Sequence, residues 1–191
     1  RLRNGLEAAR DLPHEYVLID CPPALGLLTI NALVAADKVL IPLQPHFLAM
    51  QGLARLLETI QRVQQHLNPS LRLAGVILCM YESVTKLGRD VVDEVRDFLE
   101  AAHGTDVPWS DARLFDTVIR RNIRLAECPS HGKTIFDYDP RSHGAEDYRA
   151  LTEEFLRCFS PPFKEPPSSN AKPPEILDSP TGTEYSPPMP Y

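Results

Sequence analysis

No apolar run in these 191 residues approaches the ~18–20 needed to span a bilayer. The opening Arg1-Leu2-Arg3-Asn4-Gly5-Leu6-Glu7 has no signal-peptide pattern and reads as a charged helix. Four cysteines, Cys21, Cys79, Cys128 and Cys158, are too far apart in sequence to make a C-x-x-C pair. That disfavours a zinc site and a disulfide framework, and it suits a reduced cytoplasmic chain. The histidines (His14, His46, His66, His103, His131, His143) lack metal-ligand spacing. No G-x-S-x-G nucleophile elbow occurs, and Cys21 has no base placed to activate it. Positive charge is not in excess: 20 Lys and Arg face 26 Asp and Glu, a net charge of −6. The chain is therefore not coated in basic charge, although a local basic patch remains open.

The most consequential absence is a phosphate-binding loop. The pattern G-x-x-x-x-G-K-[ST] surrounds phosphates with backbone amides. Gly132-Lys133-Thr134 matches only its end: Glu127 stands where the first glycine belongs, and Pro129 interrupts the segment. A carboxylate there would repel phosphate, so this stretch is excluded as a phosphate loop. A true loop is expected upstream of Arg1, and the start at Arg rather than Met suggests a fragment.

Proline is concentrated at one end. Ten of 19 prolines fall in residues 160–191, a stretch with few large apolar side chains. Such a segment buries too little surface to offset its ordering entropy, so a disordered tail is expected. A polyproline ligand for a partner is the alternative. The remaining body, 1–159, alternates unbroken apolar runs with amphipathic stretches. Tyr16-Val17-Leu18-Ile19, Val39-Leu40-Ile41, Leu73-Ala74-Gly75-Val76-Ile77-Leu78 and Leu114-Phe115-Asp116-Thr117-Val118-Ile119 read as strands covered on both faces. Helical periodicity marks residues 50–67, 87–102 and 145–159. Residues 103–112 read as a loop. The alternation predicts right-handed βαβ units and an α/β fold with a doubly wound, mostly parallel sheet.

Ligands of such sheets gather beyond the carboxyl ends of the strands. Asp20 ends an apolar run there, followed by Cys21-Pro22-Pro23. That is the Walker B arrangement, in which a carboxylate faces phosphate-bound Mg²⁺, often through a water. An aspartate in that place also serves as a turn or helix cap. A second constellation is basic: Arg113, Arg120, Arg121 and Arg124 fall within twelve residues, and Lys86 and Arg89 follow another strand. These side chains suit DNA phosphates, or else form a solvated edge paired with acids. No aromatic interleaves with the arginines, which disfavours single-strand stacking.

Residues 16–60 (YVLIDCPPALGLLTINALVAADKVLIPLQPHFLAMQGLARLLETI) and 117–156 (TVIRRNIRLAECPSHGKTIFDYDPRSHGAEDYRALTEEFL) closely resemble the ParA/Soj family of partition ATPases. The resemblance covers the body, 1–159, and corresponds to the second half of such a protein. It implies a deviant Walker-A P-loop fold that binds ATP and Mg²⁺, forms a homodimer around nucleotide, binds DNA nonspecifically and is stimulated by a ParB-type partner. Under it, Asp20 matches the Mg²⁺-facing aspartate and Cys21-Pro22-Pro23 the loop beside the γ-phosphate. Met80 follows a strand ending near adenine, and Arg121 and Asn122 match a Pro-Arg-Asn loop beside the base, with Arg120 in place of the proline. Arg124 matches a DNA-contacting arginine. A second such arginine would fall at Val84, where charge is missing and Lys86 or Arg89 is the substitute.

The expectation is a chromosome- or plasmid-segregating ATPase fragment, cytoplasmic and nucleoid-associated, inactive alone for want of its phosphate loop. The alternative is a nucleotide-independent DNA- or partner-binding module on the same fold. A membrane partner is not expected. The relatives that sit on membranes carry a basic amphipathic C-terminal helix, whereas this C-terminus is proline-rich and acidic.

Overall fold

A computed structural model describes residues 1–8, 14–22, 24–46, 48–82 and 86–160, with backbone alone at 86 and 87. The tail 161–191, Pro23, the loop position Val84 and the Lys86 side chain lie outside the described residues. The elements are α1 (Leu2–Ala8), α2 (Leu27–Ala35), β1 (Lys38–Leu43), α3 (Ala49–His66), β2 (Arg72–Tyr81) and α4 (Lys86–Ala101). Then come β3 (Arg113–Leu114), β4 (Ile119–Arg120), α5 (Ile123–Glu127), a 3₁₀ turn (Cys128–His131), α6 (Ile135–Tyr138) and α7 (His143–Phe159).

β2 is the central strand. β1 pairs with it along one edge, β3 and β4 pair with it in succession along the other, and every pairing is parallel. Its residues from Leu73 to Leu78 are all buried, as a strand covered on both faces requires. On one face, Leu53, Leu57, Ile60 and Val63 of α3 and Val91, Val95 and Leu99 of α4 pack on Ile41, Leu43, Leu73 and Val76. On the other, Leu151, Phe155 and Phe159 of α7 pack on Ile77, Phe115 and Ile119. Helices thus flank both faces of an open parallel sheet, the α/β class read from the sequence.

Local differences have physical causes. The apolar run at 16–19 is not a strand. Among the described residues no strand pairs with it, and Val17 and Leu18 are exposed (62% and 82%). An apolar run becomes a sheet strand only where a neighbour takes its N–H and C=O groups. Instead, the Tyr16 hydroxyl donates to the Phe159 carbonyl at 3.1 Å, and its ring meets Phe155 edge-on. β1 runs through Pro42, which an edge strand tolerates because the missing N–H need not serve a ladder. The expected strand over 114–119 is split into β3 and β4. The backbone N–H groups of Asp116 and Thr117 donate at 2.8 Å each to the carboxylate of Glu154 on α7, so they are not used in a ladder. Residues 103–112 are a loop, yet Pro108 is fully buried and its carbonyl accepts from Leu73 N–H at 2.9 Å. Helix α2 (LLTINALVA) escapes a periodicity scan because nearly every residue is apolar. Asn68 secures its end, donating from Nδ2 to the carbonyls of Leu33 at 3.0 Å and Ala36 at 2.7 Å.

Candidate functional site

Parallel pairing sends the carboxyl ends of β1, β2 and β4 to one edge of the sheet. β2 and β4 meet there through Cys79–Ile119 and Tyr81–Arg120, with a register shift between Cys79 and Tyr81. Met80 is the extra residue, a bulge. Its φ is +50°, in the left-handed region that non-glycine residues seldom occupy. The bulge turns the Met80 side chain outward, 60% exposed, at the strand's tip. Such strain persists only where the surroundings impose it, and it concentrates at functional positions.

Arg121 comes directly after β4, beside this bulge. Its N–H donates to the Tyr81 carbonyl at 3.4 Å, and its guanidinium pairs with Glu82 at 3.0 Å. Asn122 is the N-cap of α5, its Oδ1 accepting from Arg124 N–H at 2.8 Å. Met80, Arg121 and Asn122, drawn from stretches distant in sequence, are therefore assembled at one strand-end edge.

Asp20 is placed differently. It is exposed and ends the segment 14–20 rather than standing at the tip of a buried strand, because that segment is outside the sheet. Beside it the Cys21 thiol donates to the Ile19 carbonyl at 3.8 Å, and Pro22 is exposed. Among the described residues, no three His, Cys, Asp or Glu side chains gather as a metal cage. Mg²⁺ takes one or two carboxylates plus substrate phosphates in octahedral geometry. One exposed carboxylate without a phosphate-cradling loop does not fit a complete Mg²⁺–nucleotide site. Gly132-Lys133-Thr134 supplies no such loop. Gly132, at φ +58°, closes the 3₁₀ turn, and Thr134 caps α6 through Asp137 N–H.

The basic residues are largely paired within the chain. Arg124 contacts Glu127 at 3.0 Å and Asp139 at 3.6 Å, and the Tyr138 hydroxyl donates to the same Glu127 oxygen at 3.0 Å. The Glu127 hydrogen bond holds the Arg124 guanidinium further above its ordinary value. The Arg124 bond, then that of Tyr138, pulls Glu127 below the usual carboxylate range. Arg113 donates to the Cys158 sulfur at 2.9 Å. Arg89 is exposed in the first turns of α4. The helix starts of α4 and α5 both come after strands ending at the same edge, so Arg89 and Arg124 belong to one end of the sheet.

Two acids on α7 were not singled out by sequence. Asp147 is 7% exposed and accepts from both the backbone and the side chain of Arg120: N–H at 2.9 Å, guanidinium Nε at 3.0 Å and Nη2 at 2.6 Å. Glu154 is also buried. Burial works against its charge, but the Thr117 side chain and the two backbone donors outweigh it, so its carboxyl lies below the ordinary range. The sequence held a signal: Asp147, Leu151 and Glu154 share one face of an amphipathic helix, and acids within a buried stripe need partners.

A family model described as an AAA domain matches residues 1–73. The sporulation initiation inhibitor protein Soj of Bacillus subtilis is 47% identical over 154 residues, 81% of this chain and 56% of that protein. The chromosome partitioning protein ParA of Myxococcus xanthus is 44% identical over 161 residues, 84% of this chain and 53% of that protein. Crystal structures of cobyrinic acid a,c-diamide synthase from Mycobacterium smegmatis superpose with a TM-score of 0.59 at 35% identity, over 82% of this chain and 52% of that one. Two of these hold magnesium, one with ADP and one with an ATP analog. The open parallel sheet with flanking helices places the chain in the P-loop NTPase-like α/β class. Within that class it belongs to the ParA/Soj family of partition ATPases, and it spans about half the length of the curated relatives it matches. No described helix is long and apolar enough to cross a membrane.

Proposed function

We propose that this chain supplies one wall of the nucleotide site of an ATP-dependent DNA-partitioning protein. Met80, Arg121 and Asn122 form the base-facing side, and Asp20, with Cys21 and Pro22, forms the side facing Mg²⁺ and the γ-phosphate. The assembly of Met80, Arg121 and Asn122 at a strained strand end is the observation that carries this reading. A glycine-rich lysine loop from outside these 191 residues completes the site. The reading assigns residues 1–159 to the ATPase domain and 160–191 to a tail. It includes nucleotide-linked homodimerisation and a ParB-type partner, as the family relationship suggests.

Asp20→Ala in the polypeptide as encoded tests this. A carboxylate that orders Mg²⁺ through water affects metal-dependent turnover about 10–100-fold when removed. Mg²⁺-dependent ATP hydrolysis is expected to fall by that factor. Unchanged turnover removes Asp20 from the site.

The same reading assigns nonspecific DNA binding to Arg124, Lys86 and Arg89. Arg124 would exchange its Glu127 and Asp139 contacts for phosphate. Arg124→Ala should weaken binding to every sequence alike and reduce the log–log salt slope by about one. A filament- or mobility-shift titration at two salt concentrations checks it, and an unaltered slope excludes Arg124. DNA binding that survives with no nucleotide and no phosphate loop would instead favour a nucleotide-independent module.

A further inference from the structure

Arg121 and Asn122 sit at the end of a two-residue strand. So short a ladder does little to fix the loop beyond it. The loop has ties of its own, from Arg121 to Tyr81 and Glu82 and from Asn122 to the start of α5, and α7 adds a hold on the chain that leads into it. From one face of that helix, Asp147 and Glu154 reach the chain on either side of 118. Glu154 takes the backbone donors of Asp116 and Thr117. Asp147 takes the backbone N–H of Arg120 and, through a forked contact, its guanidinium. Glu146 lies 3.6 Å from the same guanidinium, on the more exposed side. A forked arginine–carboxylate contact fixes orientation as well as distance. Asp147 thereby holds both backbone and side chain of the residue immediately preceding the loop.

We propose that Asp147 is a positioning residue for the base-facing loop: it clamps Arg120 and so fixes Arg121 and Asn122 beside Met80. This rests on the reading that Arg121 and Asn122 face the nucleotide base. Asp147 touches no ligand itself; it acts through Arg120. The clamp also explains why arginine can stand at 120, where a proline would have restrained the backbone by its ring. Two side chains here do what a ring does there.

The test uses the polypeptide as encoded, with Asp147→Asn, Arg120→Gln, the double variant and Arg121→Ala. Asparagine keeps the shape of Asp147 but loses the charged fork. Thermal melts establish that each variant is folded, and Arg120→Gln reads the same clamp from its other side should Asp147→Asn unfold. Two quantities are read: amide hydrogen exchange at Arg121, whose N–H is bonded to the Tyr81 carbonyl, and the ratio of Mg-ATP to Mg-GTP affinity by fluorescence titration. Asp147→Asn is expected to raise exchange at that amide about tenfold, as local opening does, and to narrow the ATP/GTP ratio. Once Arg120 is glutamine, adding Asp147→Asn should change both quantities less than it does alone, because the two substitutions share the guanidinium contact and only the bond from the backbone N–H of residue 120 is left for Asp147→Asn to weaken. Exchange at Arg121 that stays protected in folded Asp147→Asn overturns the proposal. So does full additivity in the double variant. If Arg121→Ala shifts the nucleotide ratio and Asp147→Asn does not, positioning fails while the base-facing reading stands. If Arg121→Ala also leaves the ratio unchanged, the base-facing reading fails and the proposal falls with it.

Discussion

Gly75 lies in the middle of β2, where β3 crosses close. A Cβ there would collide with the Arg113 carbonyl oxygen and stand 2.9 Å from the Phe115 ring, itself fully buried. Neither neighbour can move freely, since one is backbone and the other is core. Overpacking of this kind costs about 1–3 kcal/mol, so Gly75→Ala should lower stability by that amount in urea unfolding. Glu154 makes a second residue-scale prediction, one that depends on pH. Its carboxyl is depressed in the folded state. The stabilisation it gives is present above the unfolded value near 4.3 and vanishes as pH falls through the lower folded value. Glu154→Gln leaves one buried donor poorly matched, a loss of about 1–3 kcal/mol at neutral pH. The gap between wild type and variant should close as the pH is lowered from about 5. Denaturant titrations at pH 7 and pH 3.5 check this; a gap that widens in acid contradicts the assignment.

At the scale of elements, α3 is the clearest case of sequence dictating packing. Leu53, Leu57, Ile60 and Val63 keep helical spacing and all lie buried against the sheet. Ile60 is wholly inaccessible, so Ile60→Ala should cost about 2–5 kcal/mol in the same unfolding measurement. Helices of this kind, and the continuous run of β2, were legible because one periodicity held over many residues. The split of 114–119 into β3 and β4 was not legible. It depends on a carboxylate distant in sequence that takes two ladder donors. The strand expected at 16–19 failed for a related reason: an apolar run is only half of a strand, and the pairing partner is non-local. The candidate site divides in the same way. The family resemblance, not a pattern in the residues themselves, singled out Met80, Arg121 and Asn122, and the sheet places them at one strand-end edge. The Arg124–Glu127 pair has the i,i+3 spacing of a helix and could be read from sequence, whereas the pairing of Arg120, Arg121 and Arg124 with residues 147, 82 and 139 needed three dimensions, because no spacing rule links them.

At the scale of the whole molecule, exposed apolar surface stands out. Val17, Leu18, Leu25, Leu27 and Leu28 all face solvent in the stretch from 17 to 28. Scattered exposed leucines are ordinary, but a run of this kind on one short stretch marks a surface that associates. The 191-residue chain purified alone should therefore elute above its monomer mass at high concentration, and Leu18→Ser with Leu27→Ser should return it toward monomer in sedimentation velocity. A monomer at all concentrations contradicts this.

The central claim is that these residues form one wall of a nucleotide site whose phosphate-holding loop comes from elsewhere. Calorimetric titration of the isolated 191-residue chain with Mg-ATP, run beside the polypeptide as encoded, tests it most directly. The account predicts no saturable binding or hydrolysis by the isolated chain and Mg²⁺-dependent binding by the polypeptide that carries the loop. Stoichiometric micromolar binding of Mg-ATP by the isolated chain would contradict it.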